Sequence, residues 1–220
     1  MAYSSPRVAL ILVLLLVALA CALLGGPGNP IDVALIRDGI AARAASPIAT
    51  EAGLFLNYVG GAPATVGLGV VIGFLVWFRG QARQATIAVA IVFVGRVVVE
   101  GVKFLVHRAR PALDAHPVVT HSLSFPSAHA ANSMIVFPLV ALLLASVERR
   151  AGWVAAGVAA SLVIGASRSL IGVHWPSDVI AGWSIGAAWL TATWPLVKGL
   201  APLEAKHDVV GRHRPAVDEV

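Results

Sequence analysis

ATIAVAIVFVGRVVVEGVKFLV, residues 85–106, decides the fold class. The stretch is long enough to cross the roughly 30 Å hydrocarbon layer as a helix. Its ionisable side chains, Arg96, Glu100 and Lys103, fall at i, i+4 and i+7 and share one helical face, while Val97, Val98, Val99, Phe104 and Leu105 fill the rest. Ionisable groups in a span are costly and face a bundle interior. A second set of helices must therefore pack against this one. Arg96 and Glu100 also have the spacing of a simple ion pair.

The rest of the chain supplies those helices. Of 220 residues, 58% are hydrophobic and only 12% charged, against roughly 25% charged in soluble proteins. Six spans of about 20 residues need about 120 apolar-rich positions, nearly all this composition provides. Disorder, a disulfide scaffold and nucleic-acid binding are excluded as main themes, and the single Cys21 forms no intrachain bridge. The expected architecture is an all-α integral membrane protein with six transmembrane helices at about 8–24, 62–78, 85–106, 130–146, 151–172 and 178–197. They form one membrane domain over 1–200, followed by a polar, disordered tail at 201–220. Run 8–24 also has the length of a signal peptide, with Ala18, Leu19, Ala20 and Cys21 faintly like a lipoprotein cleavage site.

The connection 25–61 is too long for a bare loop and reads as Pro-bounded interfacial helices, with Ile31, Leu35, Ile36 and Ile40 at helical spacing. Gly67, Gly69 and Gly73, and Gly182 with Gly186, read as points of close helix approach. With every span retained, Arg7, Arg79, Arg83, Arg149, Arg150, Lys198, Lys206, Arg212 and Arg214 share one side, opposite Arg37 and Arg43. The positive-inside rule makes the first side cytoplasmic and places both termini there.

At the outer end of these spans the charge pattern becomes chemical. Lys103 opens a cluster that runs through His107, Arg108, Arg110, His116, His121 and His129 and resumes with Arg168, His174 and Asp178. Lys binds phosphate as a point charge and Arg as a planar fork. Ser127, just before a helix start, adds a hydroxyl and free amides. His174 and Asp178 stand at i, i+4, so the carboxylate can orient one ring nitrogen and leave the other as a nucleophile toward phosphorus. His129 is placed to protonate a departing oxygen. A zinc site is the rival for such a histidine-rich face, but Lys103, Arg110 and Arg168 repel a dication. His107, His116 and His121 read as ordinary loop residues.

Three segments of this cluster resemble the signature of the type-2 phosphatidate phosphatases and related lipid phosphate phosphatases, which share their site with vanadium haloperoxidases. Lys103, six residues, Arg110 and Pro111 match the first part. Pro126, Ser127, Ala128 and His129 match the second, with Ala128 where the family has glycine. Ser167, Arg168, five residues, His174, three residues and Asp178 match the third. The resemblance implies six helices, with His174 as nucleophile, Asp178 orienting it and His129 as general acid. It also implies phosphate binding by Lys103, Arg110, Ser127, Arg168 and the amide of Ala128, and no metal or other cofactor. An alanine there keeps the amide but disfavours positive φ.

The expected function is hydrolysis of a lipid phosphomonoester or diphosphate through a phosphohistidine, at the outer face of a bacterial cytoplasmic membrane. A polyprenyl diphosphate such as undecaprenyl diphosphate comes first by resemblance, then phosphatidate or phosphatidylglycerol phosphate. The implied partners are that substrate and membrane lipids, not nucleic acid. The alternatives are a lipid phosphotransferase, a non-catalytic phospholipid-binding or transport protein and, least favoured, a vanadium haloperoxidase.

Overall fold

A computed structural model of the protein describes residues 6–120 and 122–198. His121, Lys206, Arg212, Arg214 and the expected tail at 201–220 lie outside the described residues. Within them the chain forms eight helices and no strand: α1 (Pro6–Leu24), α2 (Pro30–Ala45), α3 (Pro47–Gly60), α4 (Ala62–Phe78), α5 (Ala82–Val106), α6 (Ala128–Leu144), α7 (Arg150–Leu170) and α8 (Pro176–Lys198). By length and composition α1, α5 and α7 can each cross a membrane, and α3 with α4 makes a further candidate span bent by 44°. The lipid-facing character shows in exposed Leu12, Leu16, Phe74, Phe93, Val97 and Val163. Such a surface has no place in water.

Local chemistry sets the starts. Pro30 and Pro47 occupy first helical positions, where the missing amide costs nothing, and side chains of Asn29 and Ser46 cap the free amides behind them. The connection 25–61 is thus two helices, as expected, but its apolar stripe is divided. Ile36 is fully buried, whereas Ile31 and Leu35 are exposed. The inward face of α2 is Asp32, Ile36 and, half-buried, Ile40 and Arg43.

Helix α6 is the centre, touching α3, α4, α5, α7 and α8. It is buried all round, which is why it shows no amphipathic stripe. One core joins Ile72 and Val76 of α4, Ile91 and Val92 of α5, and Ile135, Val136 and Leu139 of α6. A second, of Ala18, Val99, Phe125, Ala131, Ala181 and Ile185, links α1, α5, α6 and α8. Helices α6 and α8 meet closely because Gly182 and Gly186 have no side chain: a Cβ on Gly186 would stand 2.6 Å from the Ala131 carbonyl oxygen. Gly69 and Gly73 likewise admit Val92 and Val89, but Gly67 faces open space.

Gly186→Ala is expected to lower the thermal midpoint in detergent, by roughly 1–3 kcal/mol of overpacking. Gly67→Ala is expected to hold or raise it, by up to about 1 kcal/mol of helix propensity. Equal midpoints for the two variants would contradict the close approach of α6 and α8.

Candidate active site

Four helix ends and two connections meet on one side of the bundle. Lys103 comes from the last turn of α5, Arg108 and Arg110 from the following loop, Ser127 and His129 from the start of α6, Arg168 from the last turn of α7, His174 from the next turn, and Asp178 from the first turn of α8. Backbone bonds stitch them together: Ser124 N donates to Arg108 O, and Ser127 N to Asp178 O, each at 2.9 Å. Gly172, with φ +78°, turns the chain from α7 toward His174.

His174 is 1% exposed. Its Nε2 lies 3.0 Å from Arg110 Nη1, and its Nδ1 lies 3.4 Å from Ser124 Oγ and 3.5 Å from Asp178 Oδ2. A guanidinium only donates, so Nε2 presents its lone pair and the ring hydrogen sits on Nδ1, toward the carboxylate. Burial first, then the charges of Arg110, Arg168, Lys103 and His129, hold its pKa well below the usual histidine range. At neutral pH the ring is an uncharged base.

Asp178 is fully buried and meets only donors: Arg108 Nη1 at 2.8 Å on Oδ1, Ser124 Oγ at 2.5 Å and Trp175 N at 3.0 Å on Oδ2. Arg108 also donates from Nη2 to the carbonyls of Cys21 and Ala22, from Nη1 to Ser177 Oγ, and lies 4.7 Å over the Phe125 ring. Ser177 in turn donates through N and Oγ to Asp32 of α2. One buried network thus joins the C-terminal end of α1, α2 and α8 behind His174.

Two donors of the site are unsatisfied. Among the described residues Ser127 Oγ and Arg168 Nε are buried with no hydrogen-bond partner, each a cost of about 1–3 kcal/mol if nothing bonds to it. Lys103, 2% exposed, uses two of its three donors on Leu123 O and Pro126 O. Arg110 is braced by Ser122 and Val173. His129 Nε2 lies 3.1 Å from Asn57 O, and Arg168 Nη1 donates to Asn57 Oδ1 at 2.6 Å. Ala128 opens α6, and among the described non-glycine residues only His107 has positive φ. The alanine is unstrained, so the backbone has no need of glycine there.

The sequence-predicted set, Lys103, Arg110, Ser127, Ala128, His129, Arg168, His174 and Asp178, is therefore gathered in one place. Arg96 and Glu100 do no more than pair, half-exposed, at 3.6 Å. His107 caps α5, and His116 Nε2 bonds Pro111 O. Sequence reasoning assigned no part to Arg108, Ser124, Asp32 or Asn57. Arg108 had a signal in its position inside the first motif; Asn57 had only its polarity within an apolar run.

Arg108→Ala leaves a buried carboxylate and two helix-end carbonyls without their donor. A loss of roughly 3–5 kcal/mol is expected, read as a large fall in thermal midpoint. An unchanged midpoint would contradict the network.

Comparison with known proteins identifies the family. The chain is 31% identical over 138 residues to phosphatidylglycerophosphatase B of Bacillus subtilis, covering 60% of this chain and 66% of that one. It is 30% identical over 140 residues to undecaprenyl-diphosphatase of Sulfolobus acidocaldarius, covering 61% and 65%. It is 36% identical over 113 residues to decaprenylphosphoryl-5-phosphoribose phosphatase of Mycobacterium tuberculosis, covering 49% and 58%. In each case the match spans just under two thirds of the relative's length or less. The crystal structure of a transmembrane PAP2-type phosphatidylglycerolphosphate phosphatase from Bacillus subtilis has the same fold, with TM-score 0.73, 24% identity and coverage of 94% of this chain and 98% of that one. Residues 84–201, which hold every motif residue, match the PAP2 superfamily, and the chain belongs to it.

Proposed function

We propose that the protein hydrolyses a phosphomonoester or diphosphate of a membrane lipid, with His174 as nucleophile. The observation that carries this is buried His174 Nε2, 3.0 Å from Arg110 Nη1, in a site where Ser127 Oγ and Arg168 Nε are buried without a partner among the described residues. Nε2 attacks the terminal phosphorus, the bond from that phosphorus to its leaving oxygen breaks (the lipid oxygen of a monoester, the bridging oxygen of a diphosphate), and His129 in its protonated form gives that oxygen its proton. Water then attacks the phosphohistidine, His129 takes a proton from it, and inorganic phosphate leaves with His174 restored. Asp178 holds the Nδ1 hydrogen throughout. Lys103, Arg110, Arg168, Ser127 and the Ala128 amide hold the phosphoryl oxygens, where their charge is most useful in the transition state. This donor set meets an anion without a metal ion.

A tail-bearing substrate suits the surroundings. An apolar groove of about 790 Å³ runs between α3, α6 and α7, from Leu56 and Ile164 near the site to Leu144 and Trp153 at the other end. The reading takes residues 1–200 as one six-span domain in a bacterial cytoplasmic membrane, with the site at its outer face and both termini cytoplasmic. The phosphate then enters at headgroup depth while the tail stays in lipid. The relatives' names favour prenyl diphosphates and phosphatidylglycerol phosphate as first substrates to try.

The test is phosphate release by the detergent-purified protein, with EDTA present, from prenyl diphosphates, phosphatidate and phosphatidylglycerol phosphate. Wild type is expected to release phosphate, and His174→Ala to lose at least about a thousandfold. Appreciable activity in that variant, or transfer to an alcohol in place of release, would overturn the reading. Because the pKa of His174 is depressed, its nucleophilic form persists below pH 6.5. The acid limb of kcat/KM assigned to it should lie under pH 6.5 and move up when Arg110 is replaced by Gln; a limb at or above 6.5 in wild type would contradict the site geometry.

A further inference from the structure

We propose that Asn57 of α3 is a positioning residue of the phosphate site, its side chain aiming the Arg168 fork and its main-chain oxygen aiming His129. The assignment rests on the functional reading above. Arg168 Nη1 is tied to Asn57 Oδ1 at 2.6 Å, and among the described residues nothing accepts from Nε or Nη2. Those two groups form one edge of the guanidinium, the edge that grips a phosphate bidentately. With Nη1 anchored to α3, that edge is left free for an anion.

The second contact is to the main chain. Asn57 O lies 3.1 Å from His129 Nε2. A carbonyl only accepts, so Nε2 carries hydrogen, and Nδ1 is the atom that gains a second proton and, in the imidazolium form, delivers it to the leaving oxygen. One residue thus braces the groups on the leaving-oxygen side, as Asp178 braces the nucleophile. The close approach of α3 that makes this possible depends on Gly60, where a Cβ would stand 2.3 Å from Ile164 Cγ2 and 3.3 Å from His129 Cδ2.

The two contacts separate by experiment. Asn57→Ala removes the side-chain acceptor and keeps the carbonyl. The Kd for inorganic phosphate, measured by titration calorimetry on the full chain in detergent, should rise about tenfold. KM should rise with it, while kcat stays within about threefold. In an Arg168→Lys background, where no fork remains to be aimed, the same substitution should add less than about twofold. Phosphate affinity equal to or tighter than wild type, or effects that multiply across the two backgrounds, would overturn the assignment. Should Asn57→Ala fail to fold, Asn57→Asp keeps shape and acceptor while neutralising Arg168. Its phosphate Kd should rise at least as much, and a wild-type Kd there would also overturn the proposal. Wild-type protein that binds no phosphate and hydrolyses no lipid would remove the functional reading and this assignment together. Normal turnover with unaltered phosphate binding in the variants would remove only the assignment.

Discussion

A carboxylate shut away from water must be paired or it does not stay charged, and the site is arranged around that requirement at Asp178. Its two oxygens are taken by Arg108, Ser124 and the Trp175 amide, and its main-chain oxygen by the Ser127 amide. The donors come from three segments of the chain. Satisfying one charge therefore brings the loop after α5, the start of α6 and the turn before α8 into register, and Arg108 extends the register to α1. The orientation of His174 follows from a demand that is structural first.

Charge then separates into two zones. Behind His174, Arg108 is matched by Asp178, and Asp32 stabilises Ser177 from α2. In front, Lys103, Arg110 and Arg168 make no ion pair with a carboxylate among the described residues, and there buried donors on Ser127 and Arg168 stand without partners. Like charges held together in a low-dielectric setting are costly. An anion with several oxygens, the shape of a phosphoryl group, would relieve the cost. The apolar groove beneath α3 leads away from the same place.

Much of this was legible in the sequence because it is encoded locally. Six apolar runs fall on six of the eight helices within a few residues, since hydrophobicity marks them directly; 62–78 coincides with α4. Lys103 and Arg110, Ser127 and His129, and His174 and Asp178 lie within a few residues of each other, so spacing alone exposes them. Asn57 is 111 positions from Arg168, and Asp32 is 145 from Ser177. Those contacts are set by how α2 and α3 lie across the bundle, which no periodicity records. The apolar stripe of α2 misled for a similar reason: burial of Asp32 by Ser177 and Gly26 turns Ile31 and Leu35 outward. Ala128 was a question of backbone conformation, and an ordinary helical φ answers it.

The central claim is that phosphorus is bonded to His174 during turnover. The most direct measurement is to quench the working enzyme in alkali, which preserves phosphohistidine, after brief exposure to a phosphorus-labelled lipid substrate, and to map the label by mass spectrometry. Label on His174 that disappears as substrate is exhausted is the predicted result. Sustained turnover with label on another residue, or on none under conditions where hydrolysis of the phosphohistidine is slowed by cold, would contradict the account.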